Sequence, residues 1–409
     1  MVRIKNQLLP MSVETITSAI MREMPDINKW QRDFFHHLLG LFLTLRGRYN
    51  YLNFERYGQK NELTYPNHHE SGFNFRDFNR RLIEKHTGSR RMIAFDPSYV
   101  SKSGKHTPGV GYFWSGCAGK AKWGLELCGF AAVDMVANTA LHYFAAQTLP
   151  QADQGLMEFY CELLKKQAPD LLKMSKYIGV DAFFSKKSFI DTAIENGLHV
   201  ITRLRDDAVL HYAPPPKKAC QMGRPKKYGD RLSIRNLDTE KLPCIAESEE
   251  NCIYGGVVYV KSLKRLVKVN IVHTLKEEGK VKSVKIFICT DLEFPVQDVW
   301  PWYKSRFQIE FLYRDAKQHT GLEDTQSRNK NALEYHFNMS LTAVSVAKAA
   351  HHLSIEKERR GPFSMADIKT QYFNELMINR VFEVFANIPN LTKSHPALQN
   401  LYNLGKIAA

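Results

Sequence analysis

A chain of 409 residues with 44% apolar and 11% aromatic side chains has material for two or three domains and a sizeable core, which excludes disorder as the default. Lys plus Arg outnumber Asp plus Glu by 57 to 42, a formal charge of +15, so the favoured partner is a polyanion, nucleic acid first, through counterion release and long-range steering. No run approaches the roughly 20 apolar residues that span a bilayer, and the opening MVRIKNQLLP is too polar for a secretory signal, so the expected location is the cytoplasm, with no membrane partner.

From Ser12 to about Lys85 the apolar spacing is helical, in runs such as FFHHLLGLFLTL, and Arg46, Arg48, Arg56, Arg76, Arg80 and Arg81 lie between aromatics. Arginine and aromatic side chains on helical faces can grip phosphates and base edges, so residues 1–88 read as a helical DNA-binding domain. A solvated basic surface accounts for the same residues equally well. Between Arg91 and Arg205 the period changes. RMIAFDPSYV, VGYFWSGC and WGLELCGFAAVDM read as three strands of an antiparallel meander. A helix (GLMEFYCELLKKQ) follows, then the apolar strand YIGVDAFF, a helix opening at Ser185 or Lys186 and closed by Gly197, and the strand LHVITRL. This is an α/β layout, that of a ribonuclease H-like core over residues 89–205, though element order alone does not single it out.

From Asp206 the stretch APPPKKACQMGRPKKYGDR cannot continue a helix, and its basic run GRPKK at 223–227 is expected to track phosphates. CIYGGVVYVKS, RLVKVNIVHTL and KVKSVKIFICT read as strands, with Glu277-Glu278-Gly279 as the turn between the last two, so residues 206–290 form a β-rich insertion. Residues 291–350 return to the core, and 351–409 are a helical C-terminal region. Seven cysteines, odd in number and without a C-x-x-C pair, argue against a zinc ribbon or a disulfide framework and are expected as buried thiols.

Three carboxylates carry the chemistry. Asp96 is placed at the end of one predicted strand and Asp181 at the end of another, where adjacent strands can converge; alone, each is more simply a turn or cap residue. In the helix beginning near Trp300, Tyr303, Arg306, Glu310 and Lys317 are separated by three, four and seven residues. At 100° per residue they share an arc of about 60° on one face. That stripe is not a core face, while Trp302, Ile309, Phe311 and Leu312 are expected to point elsewhere and pack. An exposed ion-pair ladder from Arg306 to Glu310 is the competing reading.

The segment YKSRFQIEFLYRDAK resembles the YREK signature of the insertion sequence 4 family of DDE transposases, with all four positions and every spacing in agreement. FDPSYVSKSGK and GVDAFFSKKSFIDTAIENGLHVITRLRDD resemble the family's segments around its first and second catalytic aspartates. The likeness spans about Arg91 to Ala350. It implies a transposase of a bacterial-type insertion sequence, with Asp96, Asp181 and Glu310 as the metal-binding triad and Tyr303, Arg306 and Lys317 contacting DNA near the cleaved end. It also implies two Mg ions per active site, replaceable by Mn, with terminal inverted repeats and target DNA as partners and a homodimer in the synaptic complex. Two other readings stand beside it: a catalytically inactive, host-retained DNA-binding protein, and a ribonuclease H-like nuclease outside transposition.

Overall fold

In a computed structural model, residues 10–58, 60–215, 226–276, 280–355, 359, 361–384, 401–402, 404 and 406 are described. Among the described residues, the first part of the chain forms the helices α1 (Met11–Arg22), α2 (Lys29–Thr44), α3 (Tyr51–Gly58), α4 (Thr64–Ser71) and α5 (Phe75–His86). Helix α2 starts where Asn28 and Gln31 make a reciprocal capping box, and its Phe34, Phe35, Leu38, Leu39, Leu41 and Phe42 are buried. Several basic side chains expected to face outward are engaged within the protein. Arg80 pairs with Asp77 and Glu84, Arg81 with Asp77 and Glu23, and Arg76 lies 4.0 Å over the Phe144 ring.

The strands β1 (Arg91–Ser101), β2 (Gly111–Ser115), β3 (Lys120–Asp134), β4 (Thr139–Gln147), β5 (Tyr177–Gly179) and β6 (His199–Leu204) build one half of a mixed sheet, with α6 (Leu156–Leu171) and α7 (Lys187–Glu195) between the later ones. The expected three-strand meander needs correction. β1 pairs with β3, not β2; the long β3 takes β2 along its first five residues and β1 along the rest. A fourth strand, β4, pairs with the other edge of β3. Its sequence TALHYFAAQ is poor in β-branched residues, and tertiary packing overrides that weak propensity. β1, β5 and β6 run parallel.

The β-rich segment consists of β7 (Leu210–Tyr212), β8 (Cys244–Glu247), β9 (Asn251–Val260), β10 (Arg265–Leu275) and β11 (Val281–Cys289). It extends the same sheet, because β11 pairs antiparallel with β6, giving the order β2-β3-β1-β5-β6-β11-β10-β9-β7. The turn 277–279 and residues 223–225 of the basic run lie outside the described residues; Lys226 and Lys227 are exposed. Cys128 and Cys289 are buried as expected, but Cys117 and Cys244 are exposed.

Among the described residues, the helices α8 (Val299–Ser305), α9 (Gln308–His319), α10 (Lys330–Ser354) and α11 (Met365–Val384) follow. α10 is buried almost all round, and its polar residues close the edge of β4. Asn338 exchanges hydrogen bonds with both backbone groups of Ala145, at 2.9 Å each, and the Ser345 hydroxyl accepts from His142 N–H at 2.8 Å. On the same face of α10, Thr342 accepts from Asn79 of α5 at 3.0 Å, and Asn79 also donates to the Tyr143 carbonyl of β4, so helices and sheet share one core.

A second tie joins α11 to the loop after α2 and the end of α9. Lys369 Nζ donates to the carbonyls of Leu45 (2.7 Å) and His319 (2.8 Å) and meets the Tyr49 hydroxyl. Gly321, at φ +63°, leaves room for Tyr49, whose ring a Cβ there would meet at 2.2 Å. Lys369→Met should leave these carbonyls only the Tyr49 hydroxyl, at 3.3 Å from Leu45 O and 2.6 Å from His319 O, and lower stability by about 1–2 kcal/mol in urea unfolding. An unchanged midpoint and slope would refute that role.

Candidate active site

Asp96 lies in the middle of β1, not at its end as the Pro-Ser pair suggests, because β1 remains paired with β3 through Asp96↔Gly129 and on to Ser101↔Gly124. What ends there is the parallel ladder: β5 accompanies β1 only as far as Ala94↔Gly179. From Phe95 onward that edge of β1 is open, which is where a proline without N–H is tolerated at position 97. Asp181 lies two residues beyond the end of β5. Its carboxylate accepts from Phe183 N–H at 2.9 Å, capping the short 3₁₀ turn Ala182–Phe184, while its carbonyl accepts from Thr202 Oγ1 at 2.9 Å. Both aspartates therefore sit where adjacent parallel strands give out, a place that a rigid scaffold holds open to solvent.

The third carboxylate arrives on a helix pair. The single helix expected from Trp300 is broken at Arg306 and Phe307, where i→i+3 bonds (Arg306 N–H to Tyr303 O, Phe307 N–H to Lys304 O, both 3.2 Å) tighten the chain between α8 and α9. The four spaced residues consequently have different surroundings. Tyr303 is buried against Phe287, ring centroids 4.8 Å apart, and so belongs to a packed face after all. Phe311, expected to pack, is 43% exposed.

Arg306 is 4% exposed and stands between carboxylates: its Nη2 donates to Glu310 Oε1 at 2.8 Å, and Nη1 lies 3.5 Å from Asp96 Oδ1. Lys317 is outside this group. Its Nζ donates to Tyr99 O at 2.5 Å and pairs with Glu323 at 3.1 Å.

Charge explains why the arrangement is incomplete. Burial pushes the Asp96 carboxyl up to about 8; Arg306 pulls it down, and the neighbouring Asp181 and Glu310 push it up again. Asp181 is likewise raised, by burial first, against the pull of Arg306 and of backbone N–H groups. Three carboxyl groups share one guanidinium, and burial, with repulsion from its neighbours at Asp96, holds back the ionisation of Asp96 and Asp181 where no further cation joins them. Meanwhile Nε and Nη1 of Arg306 are buried without hydrogen-bond partners. Hard oxygen donors that share one guanidinium suit a divalent cation such as Mg or Mn, and the spare guanidinium donors suit an anion such as phosphate. Beside Asp181 a cleft of about 830 Å³ is lined by Phe183, Lys186, Arg205 and Lys261.

Two further residues build the site and escaped the sequence reading. Tyr313 Oη donates to the Asp96 carbonyl at 2.6 Å, locking α9 to β1, and Gly129 opposite must lack a Cβ because one would meet that hydroxyl at 2.1 Å. On the other face of the sheet the buried Glu126 accepts from Tyr160 Oη (2.6 Å) and Thr148 Oγ1 (2.9 Å). Only the strand register reveals either residue's place; spacing along the chain carries no trace of it.

A family model described as transposase DDE domain matches residues 111–346, more than half the chain, in a stretch that includes Asp181 and Glu310 and begins after Asp96. No curated protein matches the chain.

Proposed function

The chain belongs to the DDE transposases, metal-dependent nucleases and strand transferases that act on DNA, and we propose that it moves an insertion sequence of the insertion sequence 4 family by cut-and-paste. The observation that carries this reading is the convergence of Asp96, Asp181 and Glu310 around the buried Arg306. The strand order β4-β3-β1-β5-β6, with its first two pairings antiparallel and the last two parallel, supports a ribonuclease H-like core for residues 89–205 and 291–350. Residues 1–88 would then be the DNA-binding module, 206–290 the insertion and 351–409 the helical tail.

In this reading Asp96, Asp181 and Glu310 hold two Mg ions, for which Mn can stand in. When bound, such a pair activates an attacking water or 3′-hydroxyl and stabilises the leaving oxygen in an in-line displacement at phosphorus. The protein's own part is positional. Tyr313 fixes the backbone of Asp96, the 3₁₀ turn fixes Asp181, and Arg306 offers its spare donors to a phosphate of the end being cut. Tyr303 borders that guanidinium, its ring centroid 5.7 Å away, and Lys317 waits near Tyr99 for the next phosphate. The partners are terminal inverted repeats and target DNA, handled by a homodimer in the synaptic complex, in the cytoplasm at the nucleoid.

Lys317→Ala should weaken complexes with element ends and reduce the slope of log K against log salt by about 0.9, one phosphate contact. An unchanged slope would remove Lys317 from the DNA surface. The reading as a whole is tested with labelled DNA carrying the sequences that flank the gene, given to wild type and Asp181→Asn in Mg. Metal-dependent cuts at the ends, lost in the variant, are expected. Binding without cuts by wild type in Mg and in Mn would favour the inactive DNA-binding protein. Cutting of any duplex without end preference would favour a nuclease outside transposition.

A further inference from the structure

The stretch from Pro97 to Leu125 begins immediately after Asp96 and contains Lys102, Lys105, Lys120 and Lys122 but no aspartate or glutamate. It forms the outer part of β1, the ribbon β2–β3 and the turn between them. The ribbon carries large rings into solvent: Tyr112 is 73%, Trp114 65% and Trp123 39% exposed. Register sets Tyr112 opposite Trp123, ring centroids 5.3 Å apart and edge to face, and Trp114 follows two residues later on the same face. The platform is anchored. Trp123 Nε1 donates to Gly104 O at 3.0 Å, and Tyr99 Oη donates to Trp123 O at 2.7 Å.

Its direction follows from the alternation of side chains along β3. Trp123 and Gly129 have the same parity, and Gly129 is the residue that lies opposite Asp96 and faces Tyr313 of α9. The rings therefore open on the same side of the sheet as the carboxylates, about 20 Å away at roughly 3.4 Å per residue. Lys120 and Lys122 alternate onto the other face, exposed, with stems long enough to reach round the ribbon's edge. Lys317, on the Tyr99 carbonyl, stands at the ribbon's base.

We propose that the β2–β3 ribbon is a separate DNA-contact surface, lying in the groove of the duplex about six base pairs from the phosphate being cut. A major groove about 12 Å wide admits a two-stranded ribbon. Tyr112, Trp114 and Trp123 meet its floor and sugar walls, and the exposed Lys105, Lys120 and Lys122 meet the flanking phosphates, whereas Lys102 is tied to the carbonyls of Thr325 and Ser327. The acid-free run of lysines favours this occupant over a second copy of the chain, in which like charges would meet. The inference rests on the transposase reading above.

The test uses full-length protein and duplexes from the ends of the gene's own DNA segment, extended from the cut in three-base-pair steps on each side in turn. Wild-type affinity should rise as one arm passes about six base pairs. Trp114→Ala with Tyr112→Ala should lose that rise, about tenfold on long duplexes, without affecting the shortest. Trp114→Tyr should restore most of it. Lys120→Ala with Lys122→Ala should lower the salt slope by about 2. These positions are exposed, so unchanged thermal unfolding is expected and excludes misfolding as the cause. If wild type cuts ends but the ring and lysine variants match it at every length, the ribbon proposal falls and the transposase reading stands. A change of oligomeric state alone gives the ribbon to a second copy and overturns the proposal too. Failure of wild type to bind or cut any end-bearing duplex in Mg or Mn would overturn both.

Discussion

Glu310→Gln protein should bind element ends as tightly as wild type yet cut them at least about a thousandfold more slowly in Mg, several kcal/mol of transition-state stabilisation at 1.36 kcal/mol per tenfold. The substitution keeps shape and removes one negative charge. It is the cleanest of the three carboxylate changes because the Glu310 side chain is 42% exposed and contributes little packing, whereas Asp96 is half-buried beside Arg306 and Asp181 anchors a turn. Gln can still accept from Arg306, so the helix junction should hold and unfolding should be nearly unchanged. The readout independent of cutting is Mn binding in the absence of DNA, which should weaken when one hard anionic donor becomes an amide. Cutting at the wild-type rate, with Mn affinity unaltered, would remove Glu310 from the site.

The residues singled out by spacing along the chain were only partly a guide to geometry. Arg306 and Glu310 meet because their i to i+4 spacing survives the helix junction, whereas Asp96 joins them from the middle of β1, not from the strand end that the sequence suggests. Tyr303 and Phe311 exchange their expected environments because α8 and α9 are not one helix, and a tight i→i+3 junction leaves no compositional mark. A Pro-Ser pair after Asp96 suggests a strand end because a proline forbids a ladder bond on one edge; that edge is already free, a fact fixed by where β5 stops. The same holds for β4, Gly129 and Tyr313. Their significance lies in register between segments far apart in sequence, which propensity and periodicity do not encode.

Arg306→Met should lower the stability of the ion-free protein by about 1–3 kcal/mol, since the guanidinium is buried but Glu310 is 42% exposed and reaches water. Asp96, Asp181 and Glu310 would then face one another without the guanidinium that now stands between them, and burial already disfavours the charge on Asp96. The consequence that separates this from ordinary core damage is the response to Mn. In wild type an ion held by Asp96 and Glu310 would compete with Arg306 for the same carboxylates, so the guanidinium should weaken its binding. In the variant the carboxylates have no cation to surrender. Mn should therefore raise the melting temperature of Arg306→Met more than that of wild type, recovering about 2.7 kcal/mol at a hundredfold excess over its dissociation constant. The variant should nevertheless cut DNA poorly even when loaded, since the buried Nε and Nη1 donors offered to phosphate are gone. If instead Mn stabilises both proteins equally, Arg306 is not holding the carboxylates in readiness for an ion, and its burial beside them is purely structural.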